Sequence, residues 1–174
     1  MNIKITKSTR QILENDNKLK EHIVLFLGEK CDTKEVLTIF SLIKKSLNKK
    51  EFNMAWSDLP FFWLAGFLGG LAFIYKRLWG AFFAAIVIFS LINLLPGVAK
   101  SLNHHIFAII FSYLASLCFF IVLFSKLYYY FLIKKFINII NQNKVLNGKC
   151  SANLFGVVFV FFATLFIKLI LFFN

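Results

Sequence analysis

Residues 106–124 read IFAIIFSYLASLCFFIVLF, nineteen consecutive positions without a charged side chain. A helix of that length covers about 28 Å at about 1.5 Å per residue, close to the ~30 Å hydrocarbon core of a bilayer. Such a stretch predicts a transmembrane helix, and the tyrosines at 128–130 extend the predicted helix towards Ile133. It therefore decides the class of fold, a helical protein embedded in a membrane.

Three further apolar stretches occupy residues 59–75, 78–98 and 153–173. The last two are long enough to cross a bilayer, whereas residues 59–75 are shorter and contain glycines. The 174 residues are 59% hydrophobic and include 24 phenylalanines, more than a soluble chain of this size can bury. The sequence thus divides into a basic, amphipathic helical segment, residues 1–58, and a membrane domain, residues 59–174.

The charges are divided between these two parts in an informative way. Residues 1–58 contain all eight carboxylates and eleven Lys/Arg, a net charge of +3, and residues 59–174 contain nine cations and no carboxylate. Lys and Arg beside apolar spans follow the positive-inside rule, which places them on the cytoplasmic side, next to anionic lipid headgroups. No soluble module contains a basic run interleaved with stacking aromatics, which argues against nucleic-acid binding. The spans also lack carboxylates for a proton relay or for Mg²⁺ or Ca²⁺.

The same cations predict the topology. Four crossing helices would place Lys76, Arg77 and the basic loop at 134–151 outside, against the positive-inside rule. If residues 59–75 instead form a re-entrant or interfacial hairpin, these cations join the N-terminus in the cytoplasm and the C-terminus lies outside. The predicted fold is all-α: a multi-pass protein with three transmembrane helices, one short hairpin packed against them, and a small N-terminal helical segment in the cytosol.

Two helices are predicted in residues 1–58. Residues 8–27 carry apolar side chains at helical spacing, although residues 23–27 could also form a short strand. Residues 32–48 begin with Asp32 and Glu35 in a pattern related to the capping box. Two interpretations stay open for this segment: a cytosolic helical domain, or a helix lying on the inner leaflet.

One local cluster is a candidate binding site. The rings of Trp63, Tyr75 and Trp79 suit a membrane interface, and Lys76 and Arg77 between them predict contact with an anionic lipid headgroup. The alternative interpretation is a plain topology signal with aromatic anchors. Pairs of small residues, Gly66 with Gly70 and Gly80 with Ala84, predict close helix packing.

No catalytic, metal or cofactor site is predicted. The cysteines, Cys31, Cys118 and Cys150, match neither a zinc spacing nor a disulfide framework. His104 and His105 are adjacent and fit a solvated loop better than a metal site. The spans show no paired carboxylates and no arrangement of a nucleophile with a base, so an enzyme acting on lipids is disfavoured.

Three motifs carry a resemblance to a known family. FNMAW at 52–56, FFWLAG at 61–66 and LAFIYKRLWG at 71–80 resemble a bacterial membrane family catalogued as domain of unknown function two-six-two-eight. Residues 75–79 keep the aromatic–basic–basic–apolar–aromatic order of that family's Tyr-Arg-Lys-Met-Tyr-like turn, with different residues. The resemblance covers about residues 25–140 and implies a bacterial inner-membrane protein without implying an activity.

These observations predict a small, non-enzymatic inner-membrane module that binds a protein partner or a second copy of itself. The alternative is a subunit of an oligomeric small transporter or channel.

Overall fold

The computed structural model describes residues 2–28, 31–47, 52–62, 65–66, 70–88, 106–150, 153–160 and 162, and it is mostly helical, which confirms the predicted all-α class. The helices are α1 (Lys7–Glu14), α2 (Asp16–Leu27), α3 (Thr33–Ser46), α4 (Gly70–Tyr75), α5 (Trp79–Ile88) and α6 (Ile106–Asn141), and residues 154–160 are also helical. A short strand β1 (Asn2–Ile3) pairs antiparallel with β2 (Phe52–Asn53), and a 3₁₀ turn covers Trp56–Asp58.

The predicted helix at 8–27 is two helices that meet at Asn15. The side chain of Thr6 accepts a hydrogen bond from the Thr9 N–H at 3.2 Å and begins α1. Asn15 ends α1 and begins α2, because its side chain accepts from the Lys18 N–H at 3.1 Å. The strand alternative for residues 23–27 is wrong, since these residues form the last turns of α2.

Helices α1, α2 and α3 pack against one another and, through α1 and α3, against the C-terminal end of α6. We call this group the α1–α3 unit. The side-chain amide of Asn141, the last residue of α6, donates to the Lys4 carbonyl oxygen at 2.9 Å and accepts from the Thr6 N–H at 3.2 Å. These two hydrogen bonds connect the end of α6 to the residues that precede α1.

A remote loop completes the end of α2. The N–H of Gly148 bonds to the Leu25 carbonyl oxygen, and the N–H of Cys150 bonds to that of Phe26, each at 2.9 Å. Carbonyls in the last turn of a helix have no partner within the helix, so these bonds satisfy two of them. The segment after α6, residues 142–150, is thereby held against the α1–α3 unit.

Helix α6 has two halves in different surroundings. It is 36 residues long, about 54 Å, which exceeds the ~30 Å hydrocarbon core. Large exposed apolar or aromatic side chains mark the outer half of α6, residues 110–122, namely Ile110, Tyr113, Leu114, Leu117, Phe119 and Val122. Buried ones mark the inner half, residues 124–140, namely Phe124, Tyr128, Tyr129, Leu132, Ile133, Phe136, Ile137 and Ile140. Lys126 lies near the boundary, its Nζ 5.7 Å from the centroid of the Trp56 ring.

Among the described residues, one helix rather than three is long and apolar enough to cross a membrane, at Tyr113–Asn141. The other two predicted spans are described only in part. Helix α5 covers the beginning of the stretch 78–98, and residues 154–160 cover the beginning of the stretch 153–173. Residues 89–98 and 163–173 lie outside the described residues, as do His104 and His105.

The glycine-containing stretch 59–75 packs against α6. The ring of Phe62 lies 4.7 Å from that of Tyr128, centroid to centroid. A Cβ added at Gly66 would lie 2.5 Å from Ser125 Oγ and 2.8 Å from the Ile121 carbonyl oxygen. Close packing at Gly66 is therefore confirmed. At Gly80 the prediction is not met within the described residues, where a Cβ would meet no atom within 4 Å.

Candidate functional site

Three polar side chains from three elements meet between the α1–α3 unit and α6. Lys76 Nζ donates to Glu35 Oε2 at 2.6 Å, and Tyr128 Oη donates to Glu35 Oε1 at 2.8 Å. The side chains of Glu35 and Lys76 keep only 14% and 9% of their surface exposed. Each carboxylate oxygen has its own donor, which compensates for the desolvation of a buried charge. This Glu35–Lys76–Tyr128 cluster ties α3 to the turn after α4 and to α6.

Glu35 reaches the cluster because α3 begins two residues before it. Asp32 precedes the helix, and its side chain accepts from the Lys34 N–H at 3.0 Å, so its predicted capping role is confirmed. The reciprocal half of the capping box is wrong for Glu35, whose two carboxylate oxygens are occupied by Lys76 and Tyr128. A buried ammonium is a stronger partner than an exposed backbone N–H, which explains the difference.

The turn between α4 and α5 fixes the directions of Lys76 and Arg77. The Arg77 N–H bonds to the Ile74 carbonyl oxygen at 2.9 Å, and the Leu78 N–H bonds to that of Phe73 at 2.7 Å. These two bonds make a Schellman motif, whose central residue is usually glycine. Arg77 has a φ of 56°, the left-handed conformation, which costs a residue with a Cβ about 1–2 kcal/mol.

Helix α6 ends in the same motif with a more ordinary residue. The Asn143 N–H bonds to the Ile140 carbonyl oxygen at 2.9 Å, and the Lys144 N–H bonds to that of Ile139 at 3.1 Å. Asn143 has a φ of 50°, and asparagine tolerates this conformation better than most side chains. The chain therefore contains two matched turns, of which the one at Arg77 carries the less favourable residue.

Lys135 braces the turn at Arg77 against the loop after α6. Its Nζ donates to the carbonyl oxygens of Arg77 and Lys149, each at 2.9 Å. The neighbouring Cys150 is buried, and burial raises the pKa of its thiol to about 11, although the nearby Lys135 acts in the opposite direction. The thiol is therefore protonated at neutral pH and a poor nucleophile. Cys31, Cys118 and Cys150 are all free.

A basic cleft opens beside this brace, between the turn, the first residues of α5 and the inner half of α6. Its volume is about 310 Å³. Arg77 and Trp79 line one side, and Phe131, Lys134 and Lys135 line the other. Among the described residues that line it are three cations and no carboxylate. The cleft therefore offers positive charge and aromatic surface at one place.

The five predicted site residues separate in the structure. Arg77 and Trp79 line the basic cleft, and the Trp79 side chain is 44% exposed. Tyr75 is partly exposed, and its carbonyl oxygen accepts from the Asn153 N–H at 2.8 Å. Lys76 lies inside the protein, bound to Glu35, so its ammonium does not face the surface. Trp63 lies outside the described residues.

Sequence reasoning missed two cations of the cleft. The sequence predicts a helix that ends near Ile133 and a loop that contains Lys134 and Lys135, whereas α6 continues to Asn141. The apolar residues Phe136, Ile137 and Ile140, which follow at helical spacing and are buried, were the signal for this extension.

No protein-family model, no curated protein and no solved structure matches this chain. The resemblance to the family of unknown function therefore stays a prediction. Within the described part of the chain, no group of three His, Cys, Asp or Glu side chains lies close enough to hold a metal ion.

Proposed function

We propose that this chain is a small, multi-pass, non-enzymatic protein of the bacterial inner membrane that holds a cytosolic helical domain against the membrane and offers it to a protein partner. The observation that carries the proposal is the continuity of α6. Its outer half exposes large apolar side chains, and its inner half is buried under the α1–α3 unit and the stretch 59–75. A single rigid helix therefore joins a lipid-compatible surface to a folded domain.

Exposed apolar side chains elsewhere support more than one span. On α5 they are Trp79, Phe83, Ile86 and Val87, and on the last described helix they are Leu154, Phe155, Val158 and Phe159. Water would disfavour so large an apolar surface on a monomer, whereas lipid would not. The same surfaces give no support to a transporter subunit, since a transport path needs polar side chains.

The contacts of the α1–α3 unit support the hairpin topology. Its Glu35 binds Lys76 in the turn after α4, and its Leu25 carbonyl binds Gly148 in the loop after α6. These contacts support a topology in which both connections share one side of the membrane with the N-terminal domain. Four crossing helices would place them on the opposite side, so these contacts favour three spans and one hairpin formed by residues 59–75.

The α1–α3 unit also has a surface suited to a partner. Leu37 on α3 is 52% exposed, and Val24 and Leu25 on α2 are partly exposed. Apolar side chains of this kind at the surface of a small domain are typical of protein contacts.

Two experiments test the proposal. A reporter fused after Asn174 should lie outside the cytoplasm, and a cytoplasmic reporter would contradict the three-span topology. Affinity purification in mild detergent should recover a partner that is lost with Leu37→Lys and kept with Ser41→Lys, a matched change at another exposed position of α3. A protein recovered alone and monomeric would count against the partner-binding function.

A further inference from the structure

The basic cleft combines fixed and free positive charge. Lys135 is held in place by its bonds to the Arg77 and Lys149 carbonyl oxygens. Lys134 Nζ lies 6.0 Å from the centroid of the Tyr130 ring. The Arg77 side chain is exposed, and no described residue forms an ion pair with its guanidinium. An exposed arginine beside two lysines is suited to a phosphate, which a guanidinium binds through two parallel hydrogen bonds.

The backbone at Arg77 indicates that its side chain has a use. The left-handed conformation at this position favours glycine, yet the chain carries arginine there. The matched turn at Asn143 shows that the same motif forms with a residue suited to it. The energetic cost of a left-handed arginine is explained by a turn that directs its guanidinium into the cleft.

The surroundings of the cleft favour a lipid over a soluble anion. Trp79, Phe83 and Val87 follow one another at intervals of four residues and lie on one face of α5. All three are exposed, and no atom of the described residues lies within 4 Å of a Cβ added at Gly80. This apolar face begins at the cleft and continues along α5, so a phosphate in the cleft would have acyl chains beside it.

We infer that the basic cleft binds the phosphate of an anionic phospholipid of the inner leaflet, with Arg77 as its main ligand and Lys134 and Lys135 as supporting charges. The acyl chains lie along Trp79, Phe83 and Val87. The N–H groups in the first turn of α5 add to the positive potential of the cleft. The inference rests on the proposed membrane location and identifies the lipid that this location would supply.

The test measures phosphatidylglycerol binding by the purified full-length protein in mild detergent, by native mass spectrometry. Arg77→Gly should weaken binding about five- to tenfold, while its thermal unfolding midpoint stays unchanged or rises, because glycine suits the turn. Asn143→Gly is the matched control and should leave binding unchanged. Arg77→Lys should keep part of the affinity, and Lys144→Gln, outside the cleft, should keep all of it.

Each outcome distinguishes the possible ligands. Unchanged phosphatidylglycerol affinity in Arg77→Gly overturns the inference, as does equal affinity for phosphatidylcholine. If inorganic phosphate displaces phosphatidylglycerol at comparable concentration, the cleft is a site for soluble phosphate and the lipid inference fails. A protein absent from the membrane fraction of cells would instead contradict the proposed function, which makes the two failures distinguishable.

Discussion

The two halves of α6 both contain many large apolar side chains and yet differ in what covers these side chains. Phe119 in the outer half is 58% exposed, whereas Phe136 in the inner half is fully buried and packs edge-on against Phe26 at 5.2 Å between ring centroids. Both halves are rich in Phe, Leu and Ile, and the inner half also contains Lys126, Lys134 and Lys135. The α1–α3 unit and the stretch 59–75 cover the inner half, whereas the outer half keeps most of its large side chains exposed and contacts the stretch 59–75 at Ile121, beside Gly66.

The difference shows that hydropathy predicts which side chains are removed from water. It does not predict whether lipid or protein surrounds them. A bilayer and a protein core are nearly equivalent for a leucine or phenylalanine side chain. They differ for polar groups, which must find partners inside a protein. The buried hydroxyl of Tyr128 has such a partner in Glu35, and polar contacts of this kind distinguish the inner half from the outer.

The largest expected effect comes from truncating the same residue type in each half. Phe136→Ala should lower the free energy of unfolding by about 3–5 kcal/mol, because it leaves a cavity between α6 and α2. Phe119→Ala should cost less than about 1 kcal/mol, since mobile lipid or detergent chains fill the space. Denaturant titration in mild detergent measures both. Equal losses would show that the outer half is also buried in protein.

A charge placed in each environment tests the role of lipid directly. Leu117→Lys should disfavour membrane insertion by about 2.5–3.5 kcal/mol, the cost of a lysine at the centre of a span. Val145→Lys, at a strongly exposed position beyond α6, should change stability by less than about 0.5 kcal/mol. The fraction of protein in carbonate-washed membranes gives the measurement. Normal insertion of Leu117→Lys would indicate that water, not lipid, covers the outer half.

Removing one hydroxyl from each half comes next in size. Tyr128→Phe deletes the donor to Glu35 Oε1 and should cost about 1.5–3 kcal/mol, because a buried carboxylate oxygen loses its hydrogen bond. Tyr113→Phe, at an exposed position of the outer half, should stay within about 0.5 kcal/mol of the unmodified protein. Thermal unfolding followed by circular dichroism compares them. A neutral Tyr128→Phe would show that the cluster does not hold the inner half in place.

Local signals in the sequence were sufficient for much of the fold and for part of the site. Helical spacing and the cap at Asp32 located α3 within two residues of its ends. The aromatic–basic pattern identified Arg77 and Trp79. Glu35 lies 41 and 93 positions from its partners Lys76 and Tyr128 in the sequence. The periodicity within a single helix cannot predict contacts between residues so far apart. The two cations between Tyr75 and Trp79 could not be ranked either, since a local pattern treats Lys76 and Arg77 as equivalent.

The smallest effect concerns the place where the two halves of α6 meet. At Gly66 an added Cβ would meet Ser125 Oγ at 2.5 Å and the backbone carbonyl oxygen of Ile121 at 2.8 Å. The serine can rotate but the carbonyl cannot, so Gly66→Ala should push the stretch 59–75 away from α6. The expected loss is about 1–3 kcal/mol, in the range typical of overpacking.

Gly80→Ala is the matched change at an open position of α5. It should leave stability unchanged or raise it by up to about 1 kcal/mol, because alanine is the better helix former. Combining Gly66→Ala with Ser125→Ala should recover part of the loss, since the nearest of the three contacting atoms is then removed. If Gly66→Ala alone is neutral in thermal unfolding, the glycine stretch does not contact α6 closely. The hairpin would then lack the burial that a re-entrant backbone requires, which would count against the three-span topology.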